Sequence, residues 1–198
     1  MSASYDSVRY QSLTDRHVLI TGGASGIGEE MVKAYRAQGA RVSFIDINEE
    51  AGRATAEATG AIFKPCDVTD IAALRDAIAA FETEQGAIQV LVNNAGKDDR
   101  HAMDEVEPDY WRRALALNLD HQFFATQAVA KAMAATGGGS IIMFSSISWM
   151  RGRPGMVGYT TSKAAINGLT KTLARELGPF GIRVNCITPG LIGTDIIK

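Results

Sequence analysis

The 198-residue sequence predicts an α/β protein built on one doubly wound parallel sheet. Three observations carry that reading. Apolar, strand-like runs alternate with helix-spaced segments along the chain, which implies parallel strands joined by right-handed crossovers, with helices on both faces. The runs are continuously apolar, as strands covered on both sides should be. And the residues with chemistry to offer gather where the runs end, at Thr21-Gly22, Asp46, Asp67, Asn93 to Gly96, Ser145-Ser146 and Pro189-Gly190. In open sheets of this class ligands sit outside the carboxyl ends of the strands.

The elements follow in order. "HVLITG" (17–22) is a short strand ending in glycine, and "IGEEMVKAYRAQG" (27–39) has helical spacing at Ile27, Met31 and Tyr35 and stops at Gly39. "RVSFIDI" (41–47) is a second strand, followed by the small-residue helix "NEEAGRATAEATG". "AIFKPCDV" (61–68) is a third strand, and its Pro65 predicts a place at the sheet edge. "TDIAALRDAIAAFETEQG" opens on a Thr or Asp cap and stops at Gly86. "IQVLVNNAG" (88–96) is a fourth strand, and a polar loop then leads into a long helical region from Pro108 to about Thr136. "GSIIMFSSI" (139–147), "TTSKAAINGLTKTLARELG" (160–178) and "IRVNCITPG" (182–190) give a fifth strand, a helix and a sixth strand.

Length bounds the answer to one domain, read over 1–198, and composition narrows the function classes. Hydrophobic residues are 46% and charged residues 21%, ordinary for a soluble globular protein. A net charge of -2 offers no reason to expect nucleic acid or an anionic membrane as partner. The two cysteines, Cys66 and Cys186, each lie in an apolar run and read as free thiols in a reducing compartment. The first sixteen residues contain no apolar segment of signal-peptide kind, and no run approaches the roughly 20 apolar residues of a membrane helix. A cytoplasmic location is the resulting expectation.

"TGGASGIG" (21–28) follows the first strand and opens the first helix. Gly22, Gly26 and Gly28 permit a tight turn and close approach of a ligand, and the helix N-terminus presents N–H groups to a diphosphate. Asp46 ends the second strand, where a carboxylate accepts from adenosine ribose hydroxyls and repels a 2′-phosphate. With Ser25 before Gly26 and Ile47 after Asp46, no cation stands ready for that phosphate, so NAD is expected rather than NADP. Asp46 or Asn48 could equally cap the next helix.

These features, with Asp67, "NNAG" (93–96), Asn118, Ser146 thirteen residues before Tyr159, the Tyr159/Lys163 pair and "PGLIGT" (189–194), resemble the classical short-chain dehydrogenase/reductase family from about His17 to the end of the chain. The resemblance implies a Rossmann-type domain with strand order 3-2-1-4-5-6, serving cofactor and substrate together. It implies a catalytic set of Asn118, Ser146, Tyr159 and Lys163. It places the cofactor against Gly22, Ser25, Gly26, Ile27, Gly28, Asp46, Asp67, Val68, Asn94, Ala95, Gly96, Tyr159, Lys163, Pro189, Gly190 and Thr194. The residue types suit the chemistry: a helix sets positions i and i+4 on one face, and a nearby ammonium favours the phenolate, which is otherwise formed only near pH 10. Tyr159 is thus the expected base, Ser146 the hydrogen-bond partner of the reacting oxygen, and Asn118 a link from Lys163 to solvent. Singly, each has an ordinary structural reading.

"KDDRHAM" (97–103) and "SISWM" add Asp98, Asp99, His101 and Trp149 as substrate candidates with Ser146. Carboxylates and an indole suit a polyol or sugar better than an acyl chain or steroid. Both stretches resemble the narrower group of NAD-dependent aldose dehydrogenases of the D-xylose 1-dehydrogenase type, with Lys97 where that group's pattern has Asn. The resemblance implies oxidation of the C1 hydroxyl of a cyclic sugar to a lactone. Other readings on the same scaffold are a 3-oxoacyl-type reductase or a cofactor binder with little catalysis. The spacing of Asp98, Asp99 and His101 matches no metal-ligand motif, so no metal is expected. Family members continue through a covering segment, another helix and a seventh strand. The chain is therefore expected to be a fragment, unless the missing part is supplied otherwise, and as it stands its sixth strand would have an unpaired edge and its pocket no lid. The family's pairing of the long helix and the Tyr159 helix across a two-fold axis implies a homodimer or homotetramer.

Overall fold

The computed structural model describes residues 8–193. Six parallel strands form one sheet: β1 (His17–Thr21), β2 (Arg41–Asp46), β3 (Ile62–Pro65), β4 (Val90–Asn93), β5 (Gly139–Phe144) and β6 (Ile182–Ile187). Their order is β3-β2-β1-β4-β5-β6, the doubly wound arrangement expected. β1 pairs with β2 on one side and β4 on the other, so the chain reverses direction across the sheet between them. That opens a crevice above the carboxyl ends of β1 and β4. Pro65 lies on the edge strand, where its missing N–H breaks no ladder.

The helices divide by face. α1 (Gly26–Ala37) and α2 (Glu49–Thr59) cover one side, where Val32 packs with Val18, Ile20, Val42 and Phe44. α3 (Ile71–Gln85), α5 (His121–Ala135) and α6 (Val157–Leu177) cover the other, burying Leu74, Phe81, Val129, Met133 and Ile166 against Leu19, Leu91, Ile141 and Met143. The central strands β1, β4 and β5 thus send successive side chains to opposite cores, the reason they are largely apolar, whereas the edge strand β6 leaves Arg183 and Asn185 exposed on one face. Burying each such side chain contributes roughly 1.5–3 kcal/mol. Asn48 caps α2 by accepting from Ala51 N, and Asp70 caps α3 by accepting from Ala73 N.

Several boundaries differ from expectation. The strands end earlier: β4 at Asn93, β5 at Phe144 and β6 at Ile187. Beyond these points the backbone turns aside to build the site. α6 begins at Val157, ahead of Tyr159 rather than after it. The long helical region from Pro108 is two helices, α4 (Pro108–Leu115) and α5, joined by a π-helical turn over Ala116–Asp120. A π turn carries one extra residue and loosens the i→i−4 ladder, and such turns collect at functional sites. Asn118 lies within it.

Candidate active site

The glycine loop is folded back over β2. Gly22 N and Gly23 N both donate to Ile45 O, at 2.8 and 3.2 Å. Gly22 and Gly26 have φ of +69° and +55°, the left-handed region that favours glycine. A Cβ on Gly28 would lie 1.8 Å from Gly22 O, and one on Gly23 2.7 Å from the Phe44 side chain. The loop is therefore pressed against the first turn of α1 with no room for side chains. Ser25, Gly26 and Ile27 lead into that turn, with Ser25 at the N-cap position and exposed. The arrangement leaves helix N–H groups facing the crevice, as a diphosphate requires.

β4 locks this loop from the other side. Asn94 Nδ2 donates to Thr21 O and Gly22 O at 3.1 and 3.0 Å, and Ala95 N donates to Thr21 Oγ1 at 3.0 Å. Asn94 and Ala95, expected at the cofactor, thus also hold the cradle's shape. Asp46 Oδ2 accepts from Ala24 N at 3.0 Å and Oδ1 from Asn48 N at 2.9 Å. The carboxylate is fixed at the strand tip, and each oxygen keeps further acceptor capacity. Asp67 is exposed and accepts from Thr69, while Val68 beside it is buried. Pro189 O accepts from Ile147 N, which lays the 188–190 segment and Gly190 along the loop after β5. Thr194 lies outside the described residues.

The four expected catalytic residues come together above β4 and β5. Lys163 is 3% exposed, and its Nζ donates to Phe144 O at 2.9 Å while lying 5.5 Å over the centroid of the Tyr159 ring. Gly96 separates Lys163 from Asn118: a Cβ there would sit 3.2 Å from Lys163 Nζ and 2.9 Å from Asn118 Oδ1. Asn118 clamps the neighbouring loop, accepting from Lys97 N at 2.9 Å and donating to Lys97 O at 3.1 Å. Its side chain is therefore committed to backbone, and the atoms it has left for a proton path are main-chain ones. Ser146 Oγ donates to Ser148 Oγ at 3.0 Å and accepts from Ser148 N at 3.1 Å.

The electrostatics correct one expectation. Lys163 does not hold the Tyr159 phenol below its usual range in this arrangement. Burial pushes that phenol up, hydrogen bonding with Ser146 pulls it back, and the Asp98 carboxylate pushes it up again. Lys163 is itself shifted, to about 8, because burial disfavours its ammonium. The lysine Nζ is held by the Phe144 carbonyl and lies over the ring of Tyr159. Hydrogen bonding with Ser146 is what favours the phenolate, and it requires the Ser146 hydroxyl to turn its one proton from Ser148 Oγ to the phenol.

The substrate candidates divide. Asp98 lies close enough to Tyr159 to act on its charge. Asp98 and Asp99 also pair with Arg100 and Lys97, at 3.3 and 2.9 Å, in exposed ion pairs of little energetic weight. His101 Nδ1 is 2.9 Å from the Tyr110 hydroxyl, while its Nε2 is buried with no partner among the described residues. Trp149 is half-buried and its Nε1 donates to Ser145 Oγ at 3.2 Å, so the indole N–H is not free for a ligand. Ser145 in turn donates to Lys163 O at 2.6 Å and accepts from Asn167 Nδ2 at 3.1 Å.

Sequence reasoning missed the layer beneath these residues: Gly23, Thr21 as an anchor, Asn167, His121 and Gln122. Gly23 sits inside the quoted loop. The others resemble ordinary polar residues of strands and helices, and only their partners reveal them.

A dinucleotide cradle at the β1–α1 turn and a Ser-Tyr-Lys-Asn cluster on the same sheet edge define an oxidoreductase of Rossmann type. The comparisons agree. The model of the short chain dehydrogenase family matches residues 16–198, and the chain belongs to the short-chain dehydrogenase/reductase family. It is 47% identical over 193 residues to a D-xylose 1-dehydrogenase of Caulobacter vibrioides, covering 95% of this chain and 76% of that protein. It is 46% identical over 195 residues to a probable galactose dehydrogenase of Rhizobium meliloti, covering 96% and 76%. Among solved structures, a short-chain type dehydrogenase/reductase from Mycobacterium ulcerans superposes with a TM-score of 0.88 at 30% identity, covering 93% of this chain and 70% of that one. Enzymes of this family use nicotinamide cofactors.

Proposed function

We propose that the protein is an NAD-dependent sugar dehydrogenase that oxidises the C1 hydroxyl of a cyclic aldose to the lactone. The observation that carries this is the polar loop 97–101, whose Asp98 lies near enough to act on the charge of Tyr159 and whose His101 keeps a buried Nε2 without a partner among the described residues. Such groups suit a polyhydroxylated substrate and would reject an apolar one. The similarity to a D-xylose and a probable galactose dehydrogenase supports the same class.

The residues fit a nicotinamide dinucleotide: the loop has no space for a Cβ at Gly23 or Gly28, and helix α1 opens on it. NAD would lie against Gly22 to Gly28 and Asn94 to Gly96, with its ribose hydroxyls on Asp46; when bound it supplies the hydride acceptor. Tyr159 takes the proton of the reacting hydroxyl. Ser146 orients that hydroxyl and stabilises the phenolate. Lys163, held by Phe144 O, supplies positive charge beneath the ring and a proton donor toward the ribose. The bound carboxylate of Asp46 disfavours a 2′-phosphate, so Asp46→Ala should raise relative activity with NADP. The largely apolar groove between α5 and α6, lined by Leu119, Phe123, Phe124, Ala165 and Leu169 with Asp120 as its one charged member, supports a homodimer.

The test is the initial rate of NADH formation across D-xylose, D-galactose, D-glucose and L-arabinose, with lactone detected as product. Oxidation of a hydroxysteroid, or reduction of a 3-oxoacyl thioester with NADPH, in the absence of any aldose turnover overturns the proposal.

A further inference from the structure

Gln122 is wholly buried on the first turn of α5, and it touches no surface at which substrate or cofactor arrives. Its carboxamide is used at both ends. Oε1 accepts from Phe144 N at 3.3 Å, and Nε2 donates to Phe144 O at 3.2 Å. Nε2 also approaches Asn118 O at 3.4 Å. A side-chain amide here does what a neighbouring strand does elsewhere: it pairs with N–H and C=O of one residue. That residue is the last of β5.

The consequences converge on the site. Phe144 O is the acceptor that holds Lys163 Nζ at 2.9 Å, so Gln122 and Lys163 share one carbonyl. Ser146 follows Phe144 by two residues, so the direction in which β5 ends sets its hydroxyl. Asn118 O belongs to the π turn, where the hydrogen-bond register departs from that of an α-helix. Gln122 O accepts from Asn93 Nδ2 at 3.2 Å, which ties the same turn of α5 to the end of β4. One buried side chain thus bridges the main chains that carry Asn118, Ser146 and the seat of Lys163.

We infer that Gln122 is a positioning residue for the dehydrogenase reaction, setting the Lys163 ammonium and the Asn118 carbonyl in register with Tyr159. The inference rests on the catalytic roles proposed above for those residues. An apolar residue of the same size would fill the space equally well. The carboxamide is needed only because three backbone groups beside the site must be held at once.

The experiment compares wild type, Gln122→Met and Gln122→Glu, with Tyr159→Phe as reference, by sugar-dependent NADH formation over a range of pH and by crystal structures of the variants. Methionine keeps the volume and removes all three contacts. Glutamate, with one O–H in place of two N–H groups, keeps the paired contact with Phe144 only while its carboxyl is protonated and gives up the one to Asn118 O. We expect Gln122→Met to lower kcat by at least about tenfold with KM for NAD changed less than about threefold, since the loss falls on the reacting geometry. Its crystal structure should show Lys163 Nζ displaced from Phe144 O. Gln122→Glu should retain activity at the acid end and lose it as its carboxyl ionises, a pH transition that wild type lacks. A kcat for Gln122→Met within about twofold of wild type overturns the inference, as does a Lys163–Phe144 contact unchanged in its crystal structure. If Gln122→Met fails to fold, the pH profile of Gln122→Glu decides: the same profile as wild type overturns it. Wild-type turnover that survives Tyr159→Phe refutes the functional proposal instead, and the crystal structures still decide whether Gln122 positions Lys163.

Discussion

Replacing Lys163 by methionine should stabilise the folded protein near neutral pH while abolishing its activity. The lysine is buried and its Nζ is shifted from 10.5 to about 8 by desolvation. Such a shift corresponds to about 3 kcal/mol by which folding disfavours the charged form. Methionine retains most of the buried stem without the charge. Phe144 O would lose one donor, costing about 1 kcal/mol, but keeps Gln122 Nε2. The net expectation at pH 7 is a gain of about 2 kcal/mol, or roughly 4–8 °C in Tm for a chain of this size. The pH dependence gives the sign. Between pH 8 and 10.5 the unfolded chain holds a proton on Lys163 that the native chain has released, so native wild type gains stability as pH rises through that window. The variant has no such group. Its advantage should therefore shrink above pH 8 and reverse by about 1 kcal/mol near pH 10.5, where the neutral amine still donates to Phe144 O. Urea unfolding of both proteins, without cofactor, at several pH values measures this. A variant less stable than wild type at pH 7, or a difference that does not change with pH, would refute the reasoning.

Three further outcomes are expected. Gly28→Ala must push Gly22 O away from a Cβ contact of 1.8 Å and break its hydrogen bond from Asn94; we expect a loss of about 2–3 kcal/mol in unfolding stability and weaker NADH binding by fluorescence titration. His121 is wholly buried, its ring has no well-formed hydrogen bond beyond a marginal contact with the Leu117 backbone, and burial, helped by the Lys163 charge, holds it down at about 3. Stability should therefore fall as pH drops from 6.5 toward 3, and His121→Leu should flatten that slope by up to about 1.4 kcal/mol per pH unit in denaturation series. Phe124→Glu places a charge in the α5–α6 groove and should convert a dimer to monomer by light scattering, with the circular dichroism spectrum retained.

The parts of this molecule legible in the sequence are those written in periodicity and punctuation. Short runs rich in apolar residues marked all six strands, Pro65 marked an edge, and Asn48 and Asp70 supplied caps where polar side chains precede helices. The glycine loop was legible because its glycines stand between a strand and a helix. The π turn was not, because "ALALNLDHQ" keeps helical composition while only the backbone hydrogen-bond register changes. The end of the fifth strand was overestimated because Ser145 and Ser146 stand between apolar Phe144 and Ile147, although the Ser145 hydroxyl is already turned to Lys163 O. The direction of the Lys163 side chain was likewise unreadable. Spacing of four predicts a shared helical face, but the nearest carbonyl belongs to a strand nineteen residues earlier.

The cradle's dependence on β4 bears on how the chain acquires it. Thr21 and Gly22 are braced by Asn94 and Ala95, more than seventy residues downstream. During synthesis, the first βαβ unit can pair its strands as soon as they emerge, yet its phosphate turn waits for a brace still being made. Local pairing precedes long loop closure. Nucleotide affinity should therefore appear in nascent chains only after Ala95 has left the ribosome, long after the segment that carries the glycines.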